Sequence, residues 1–491
     1  MELLSPAGNV QKLYYAYSYG ADAAYIGLKK FSLRAKADNF YGEEFERVAE
    51  LKKQFPQKKL YCALNILFHN HDIDLFLQNI EYFKNYPIDS FIVQDLGIVP
   101  ILQKHFPQAA LHLSTQASCI NREAAKMYKS LGFRRIILGR ETSLAEIRQI
   151  KDAVPEMELE VFVHGAMCVA YSGRCLLSAY LTNRSAQHGF CSHTCRWNFD
   201  LKSKEGAEKL AQSGELFLEE ENRKGEFFPI FEGENFTAIL SSKDLQMIEH
   251  LADMKAAGID ALKIEGRMKS VYYTALVTRA YRKAIDALEG KISDEEAAPF
   301  VAELANVSHR ESTTGFYYDS SEADKTASGA SDSAYDLAAT IQKKLNEEEA
   351  AEIFSKGEAA ILQRQAELSA LHPEAKKARE KDFALHPEKA PPAIAKRAGW
   401  FFYKIEALNL IQRDSKIEFV APNFSALVPE SGSWLLADLQ NGLETLWTSN
   451  GHETLLYTKY DLSESAIIRA KDDDFVPNAI RDFGRAPKKR I

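Results

Sequence analysis

Eight short apolar runs alternate with amphipathic stretches between residue 1 and about residue 290. Each run is rich in Leu, Ile, Val, Phe and Tyr, which is typical of parallel strands that are buried on both faces. The runs are ELLSPAG, AAYIGL, LYCALNI, SFIVQD, ALHLSTQ, RIILGRE, LEVFVHG and ALKIEGR. This alternation predicts an α/β fold, a (β/α)₈ barrel of the TIM type. The run FTAILSS, residues 236–242, is either an extra strand or a replacement for one of the eight.

The pattern changes after the barrel, and the composition divides the rest of the chain into further parts. Six short alternating runs near the end predict a small β-barrel. The stretch before them is rich in Ala, Glu and Lys and has few large apolar residues, so we expect a solvated helical insert that is dispensable for chemistry. The predicted parts are a barrel over 1–290 with a cysteine-rich insertion over 165–235, an extension over 291–320, a linker and helical insert over 321–395, a small β-barrel over 396–479, and a basic tail over 480–491.

The overall composition is that of a soluble globular protein, with 46% hydrophobic and 26% charged residues. A net charge of −8 provides no global basic field, which disfavours a general nucleic-acid binder but leaves room for local basic patches. No apolar run approaches the roughly 18 residues that span a bilayer, and the first residues lack the features of a signal peptide. We therefore expect a cytoplasmic protein without a membrane partner.

Four of the six cysteines lie within 28 residues, separated by six, fifteen and three residues. In a reduced compartment such clustering favours metal binding over disulfides. Four thiolates suit an iron–sulfur cluster or zinc, and only the last two have the close spacing typical of structural zinc. The spacing favours a cluster, with zinc and unligated thiols as alternatives, whereas Cys62 and Cys119 are predicted to pack in the core. The four are Cys168, Cys175, Cys191 and Cys195.

Polar residues follow nearly every predicted strand, at the end of a TIM barrel where active sites form. We expect His164 and Glu265 to move protons, and Arg267 and Lys269 to face a bound anion. Ordinary salt bridges and solvated strand ends are the alternative interpretation. The chain has no HExxH, GxSxG or Walker motif, although His164 with Cys168 leaves a Cys–His protease open.

Several stretches resemble the collagenase-like peptidase family U32. They are ELLSPAGN, GADAAYIGLKKFSLRAKADNF, HLSTQAS, the cysteine-rich segment, SSKDL and IDALKIEGRMKS, and the resemblance covers about residues 1–318. LEEENRKGEFFPIFEGE and NVSHRESTTGFYYD are similar to the branch of tRNA hydroxylation proteins. The resemblance implies an enzyme that makes 5-hydroxyuridine at the wobble position of tRNA, with prephenate as co-substrate and without molecular oxygen. It also implies a 4Fe–4S cluster held by Cys168, Cys175, Cys191 and Cys195. For a redox cluster, we further expect a protein that donates electrons as a partner.

Prephenate is a dicarboxylate, and arginines bind carboxylates through a planar fork. We expect RNA phosphates to be gripped by two arginine groups, one made of Arg134, Arg135 and Arg140 and the other of Arg174, Arg184 and Arg196. The alternatives to RNA hydroxylation are a collagenase-like peptidase and a non-catalytic iron–sulfur protein that binds RNA or assists assembly. The predicted substrate-binding residues are Arg34, Asn65, Gln116, Arg140, Arg174, Arg267 and Lys269.

Overall fold

The computed structural model describes residues 1–28, 31, 39–168, 170–173, 242–318 and 333–471, and only the backbone of three strands between residues 216 and 238. The chain divides into two compact units, of which the first ends at Ser333 and the second begins at Ala334. The strands of the first unit are β1 (Glu2–Pro6), β2 (Ala23–Ile26), β3 (Lys59–Leu64), β4 (Ser90–Val93), β5 (Ala110–Leu113), β6 (Arg135–Ile137), β7 (Glu158–Ala166), β8 (Leu216–Glu219), β9 (Phe227–Gly233), β10 (Phe236–Ala238), β11 (Asp244–Gln246), β12 (Ala261–Ile264) and β13 (Ser312–Thr313).

Strands β1 to β7 and β12 form a closed parallel barrel. Each strand pairs with the next along the chain, and β12 closes the sheet because it pairs with both β7 and β1. All eight predicted runs are barrel strands, so the predicted (β/α)₈ architecture is confirmed. The ambiguous run contributes β10, which pairs with β9 in a separate three-stranded sheet and is not a barrel strand.

Helices connect the strands, and side-chain caps fix where several of them begin. Asn9, Asn121, Ser143 and Ser270 each accept a hydrogen bond from a backbone amide in the first turn of the helix that follows. None of the described helices is both long enough and apolar enough to cross a membrane. The α-helices among the described residues of this unit are α1 (Val10–Ser18), α2 (Glu44–Gln54), α3 (Asn70–Gln78), α4 (Ile80–Lys84), α5 (Val99–His105), α6 (Arg122–Ser130), α7 (Leu144–Ala153), α8 (Leu251–Ala256), α9 (Val271–Leu288) and α10 (Asp294–Ala302).

A buried network of charged side chains links four neighbouring strands inside the barrel, β6, β7, β12 and β1. Glu160 of β7 is fully buried and accepts hydrogen bonds from Lys263 Nζ at 2.9 Å and from Arg135 Nη1 at 3.0 Å. Arg135 also donates to Glu2 at 2.6 Å. Burial alone would raise the pKa of Glu2, but hydrogen bonds and charge from Arg135 and Lys59 outweigh it and lower that pKa to about 2.

This network corrects one prediction about phosphate binding. Arg134 and Arg135 lie where β6 begins, whereas Arg140 follows the opposite end of that strand. Arg135 is buried, and its guanidinium is occupied by carboxylates. The three arginines therefore form no common patch, and the prediction that they do is wrong.

The second unit contains an antiparallel sheet of eight strands in the order β18-β17-β23-β14-β15-β22-β19-β20, and a two-stranded sheet of β16 and β21. Among the described residues, β18 and β20 are the edges of the larger sheet. The elements are β14 (Tyr335–Lys344), α11 (Glu347–Ala370), α12 (Pro373–Leu385), β15 (Phe401–Ala407), β16 (Ile411–Gln412), β17 (Ile417–Ala421), β18 (Phe424–Leu427), β19 (Trp434–Asp438), β20 (Glu444–Thr445), β21 (Trp447–Thr448), β22 (Thr454–Thr458) and β23 (Ile467–Lys471).

The segment predicted as a dispensable insert over 321–395 supplies a central strand of this sheet. Strand β14 pairs with β15 on one side and with β23 on the other. Helix α11 adds Ile353 and Phe354 to an apolar cluster on the sheet. The boundary predicted at 396 is therefore wrong, whereas the expectation that the segment is dispensable for chemistry stays a prediction. The strand escaped notice because its buried centre includes the small residues Ala338 and Ala339.

Helix α11 approaches the turn after β19 so closely that only glycine fits there. Gly442 has φ +67°, and a Cβ built on it would lie 2.2 Å from the carbonyl oxygen of Ile353. We predict that Gly442→Ala destabilises the second unit by about 1–2 kcal/mol for the left-handed backbone, plus about 1–3 kcal/mol for the overpacked contact. Urea unfolding followed by tryptophan fluorescence measures this, because three of the four tryptophans lie in this unit, namely Trp400, Trp434 and Trp447.

The matched control is Gly432→Ala. Gly432 has φ +73°, and nothing lies within 4 Å of the position of an added Cβ. This variant should show only the backbone cost. Equal destabilisation by both substitutions would contradict the close packing of α11 on the turn.

Candidate active site

A partly buried ion pair lies at the C-terminal ends of the barrel strands, which we call the mouth. Arg140 follows β6 and Glu265 directly follows β12, and Arg140 Nη2 lies 3.5 Å from Glu265 Oε2. The Arg140 guanidinium also stacks over the ring of Phe162 at 4.1 Å and donates to the carbonyl of Ala166 at 3.2 Å. The side chains of Arg140 and Glu265 are 14% and 16% exposed, so water screens their interaction only weakly.

The backbone around Glu265 is held from three sides. Its amide donates to the carbonyl of His164 at 2.9 Å, and its own carbonyl accepts from Tyr273 Oη at 2.8 Å. Gly165 has φ +107°, and a Cβ there would lie 2.7 Å from the Glu265 carbonyl oxygen. The carboxylate of Glu265 is therefore presented to the mouth from a fixed backbone.

His164 occupies a packed position against α9. Its ring lies 5.5 Å from that of Tyr281 and 5.9 Å from that of Tyr273, both on α9, and Tyr281 Oη is 3.5 Å from His164 Nδ1. Burial lowers the pKa of His164 to about 3. A neutral imidazole in this position is poorly suited to carry protons near pH 7, so Glu265 is the better candidate among the two predicted proton carriers.

Three amide side chains meet at the ends of β3, β4 and β5. Asn65 Nδ2 donates to Gln116 Oε1 at 3.3 Å, and Gln94 Nε2 donates to the carbonyl of Asn65 at 2.7 Å. The structure thus brings together the predicted pair Asn65 and Gln116. Amides both donate and accept hydrogen bonds, which suits them to the edge of a planar polar ligand.

Arg267 and Lys269 lie in the loop after β12, and Arg267 is more enclosed than expected. Arg267 is buried, with its guanidinium 5.9 Å from the ring of Tyr25. Its carbonyl oxygen would be 2.2 Å from a Cβ at Gly8, so this loop lies directly on the loop that follows β1. Lys269 Nζ lies 5.2 Å from the ring of Tyr273 and 3.5 Å from the carbonyl oxygen of Ser308.

Cys168 lies two residues beyond the end of β7 and is exposed at the mouth. Cys62 and Cys119 are buried as predicted, and burial raises their pKa to about 12 and about 11. An exposed thiol beside the mouth fits a ligand of a metal cluster, whereas the two buried thiols do not. The remaining predicted ligands and four predicted arginines lie outside the described residues, namely Cys175, Cys191, Cys195, Arg34, Arg174, Arg184 and Arg196.

A carboxylate clamp, which the site prediction missed, holds the segment after Cys168. Glu141, in the loop after β6, accepts a hydrogen bond from the backbone amide of Ser172 and another from Ser172 Oγ at 2.7 Å. Ser172 is buried and has the left-handed φ of +46°. In the sequence, Glu141 directly follows Arg140 after a predicted strand, where polar residues are common in any barrel. The sequence offers no other signal for the clamp.

Comparison with known proteins places these residues in a family context. The model of Peptidase family U32 matches residues 8–327. The chain is 38% identical over 340 residues to tRNA hydroxylation protein P of Escherichia coli, covering 64% of this chain and 74% of that protein. It is 34% identical over 326 residues to the 23S rRNA 5-hydroxycytidine C2501 synthase of Escherichia coli, and the match covers 64% of this chain and 45% of that protein. It is also 30% identical over 328 residues to a protein of Porphyromonas gingivalis named Collagenase, and the match covers 64% of this chain and 73% of that protein.

The buried state of His164 predicts a dependence of stability on pH. Because its folded pKa of about 3 lies below the usual 6.5, the unfolded chain binds the extra proton, and stability falls as pH drops from 6.5 toward 3. Burial also lowers the pKa of His112, which acts in the same direction. Between pH 7 and pH 5, protonation linked to His164 should lower the unfolding free energy of the wild type by about 2 kcal/mol. The variant His164→Gln should lack this part of the decrease. Urea unfolding followed by circular dichroism at both pH values measures the loss.

The matched control for this measurement is His71→Gln, at an exposed position on α3. It should leave the pH dependence as in wild type. If His164→Gln shows the full wild-type loss, the imidazole is not held neutral in the folded protein.

Proposed function

Because the chain belongs to peptidase family U32, we propose that it is an enzyme that hydroxylates RNA, and specifically one that makes 5-hydroxyuridine at the wobble position of tRNA. The observation that carries the proposal is the 38% identity to tRNA hydroxylation protein P over 340 residues. The relative named 23S rRNA 5-hydroxycytidine C2501 synthase supports RNA hydroxylation as the wider theme.

The mouth offers chemistry that suits a single unpaired nucleotide. A uridine in a loop is already unpaired, so it enters an enclosed site at small unstacking cost. The amides of Asn65 and Gln116 can donate to and accept from its polar edge. Glu265, held at a fixed backbone position, is the group that would accept or return a proton at the ring.

The co-substrate that we propose is prephenate, without a need for molecular oxygen. Its two carboxylates call for guanidinium groups, and Arg140 presents one at the mouth beside Phe162. A bound carboxylate would compete with Glu265 for Arg140, which couples binding of the co-substrate to the proton-carrying group. Arg267 and Lys269 lie in the loop that Glu265 begins, and Arg34 and Arg174 complete the proposed set.

The proposed cofactor is a 4Fe–4S cluster. Cys168, Cys175, Cys191 and Cys195 would hold it, since Cys168 is an exposed thiol at the mouth and the other three follow within 28 residues. When bound, such a cluster supplies electron transfer or a Lewis-acid site. The clamp between Glu141 and Ser172 would keep the cysteine segment in register with the mouth. A protein that donates electrons is a further proposed partner.

Peptidase activity is the second candidate because one relative bears the name Collagenase. A Cys–His protease needs an imidazole directed at its thiolate. His164 is instead packed between the rings of Tyr273 and Tyr281. The geometry of the described residues therefore gives this candidate less support than RNA hydroxylation.

Deletion of the gene from its host tests the proposed function. Mass spectrometry of tRNA nucleosides should show loss of 5-hydroxyuridine and its derivatives, and a plasmid copy of the gene should restore them. An unchanged level, in a host without a second enzyme for this step, would contradict the proposal. Cleavage of gelatin by the purified protein, when it holds no cluster, would favour the peptidase.

Substitution of Arg140 by lysine tests the proposed contact with the co-substrate. Arg140→Lys keeps the charge but loses the planar fork, so KM for prephenate should rise roughly 10-fold or more, the value of one charge-assisted hydrogen bond. Arg134→Lys is the control, because Arg134 precedes the same strand at the opposite end of the barrel and its side chain is 67% exposed. Equal KM values for the two variants would remove Arg140 from the site.

A further inference from the structure

Exposed apolar side chains are concentrated at one end of the barrel. Among the described residues of the first unit, eight large apolar side chains are exposed, and five of them lie in loops that follow barrel strands. Of the other three, Leu77 and Met127 lie on helices, and Tyr318 follows β13. Exposed apolar groups gathered at one place on a protein commonly mark a binding surface. The five are Tyr41, Leu67, Leu96, Tyr171 and Met268.

The loops that carry two of these residues, Leu67 and Leu96, are joined by a shared carboxylate. Asp95 Oδ2 accepts from the amide of Phe68, and Asp95 Oδ1 accepts from the amide of Gly97, both at 2.8 Å. Leu67 directly precedes Phe68, and Leu96 directly follows Asp95. The loops after β3 and β4 are thereby joined at the positions that expose these two leucines, which are 45% and 47% exposed.

Tyr171 is held at the same part of the mouth by the carboxylate clamp. Its neighbour Ser172 is buried in a left-handed conformation by Glu141, while Tyr171 itself is 51% exposed. A non-glycine residue in this conformation is strained and persists only where the surroundings enforce it. The short helical turn Tyr171–Gly173 lies against Thr115–Ala117, the turn that carries Gln116.

The three exposed side chains therefore flank the amide cluster. Leu67 follows Asn65, Leu96 follows Gln94, and Tyr171 lies next to the turn of Gln116, over the consecutive strand ends of β3 to β6. Apolar and aromatic surfaces receive the faces of unstacked bases, and amides read their polar edges. The amides between the apolar side chains therefore favour a ligand that has both a flat face and a polar edge, as an unpaired base does.

We propose that Leu67, Leu96 and Tyr171 form a stacking rim for the unpaired bases that flank the target uridine. The inference rests on the proposed function, because it takes tRNA as the substrate. Tyr171 supplies the aromatic platform, and the two leucines form the apolar wall across the amides. The rim would thus select a loop whose neighbouring bases can splay outward.

The test compares variants of the full-length protein for binding to a hairpin with the anticodon loop of tRNA, by fluorescence anisotropy. Tyr171→Ala should weaken binding roughly 10-fold, the contribution of one stacked base, and Tyr171→Trp should restore it. The double variant Leu67→Ser, Leu96→Ser should also weaken binding. Met127→Ala, which removes an exposed apolar side chain from α6, should bind as wild type. Wild type should also lose affinity for a hairpin that lacks the bases flanking the target.

Three outcomes would overturn the inference, and they separate it from the proposed function. If wild type binds and hydroxylates tRNA but the rim variants match Met127→Ala, the stacking rim alone is refuted. If the variants bind RNA normally but lose activity only when a protein supplies the electrons, the rim docks that protein. If wild type binds no tRNA and forms no 5-hydroxyuridine, the proposed function is refuted as well.

Discussion

The closure of the barrel at Glu160 is the interaction on which the rest of the first unit depends. This buried carboxylate lies on β7 and binds Arg135 of β6 and Lys263 of β12, the strand that closes the sheet against β1. Removing one member of such a buried set leaves a charge without compensation, at a cost of about 3–5 kcal/mol. The network therefore specifies which strands are neighbours, and the strand order in turn fixes which side chains share the mouth.

The two ends of the barrel divide stability from chemistry. Charged residues near the start of the strands are saturated with partners, as Arg135 shows with Glu2, Glu158 and Glu160. At the mouth, by contrast, glycines let backbones approach closely, and Gly165 permits the contact that fixes Glu265. The polar groups there include two side-chain pairs, Arg140 with Glu265 and Asn65 with Gln116. In TIM barrels the C-terminal ends of the strands generally carry the active site, and the N-terminal ends generally serve stability.

The barrel could be predicted from the sequence because each strand is a separate apolar run, and the order of the runs is the order of the strands. The roles of individual charges could not. Arg135 and Arg140 are five residues apart and look alike in the sequence, yet a short strand carries them to opposite ends of the barrel. Strand β14 was missed because pairing on both sides compensates for its small buried side chains. The clamp by Glu141 depends on the left-handed backbone of Ser172, which no local sequence pattern predicts.

The proposed function requires the barrel mouth and the cysteine segment to act together on tRNA. The most direct measurement is a reconstitution under anoxic conditions, in which purified protein with its cluster is mixed with tRNA that lacks the modification, prephenate and a reductant. Mass spectrometry of the nucleosides should then show 5-hydroxyuridine, and omission of prephenate or substitution of Cys168 by serine should abolish it. Absence of the product from the complete mixture, with the cluster intact and tRNA bound, would contradict the account.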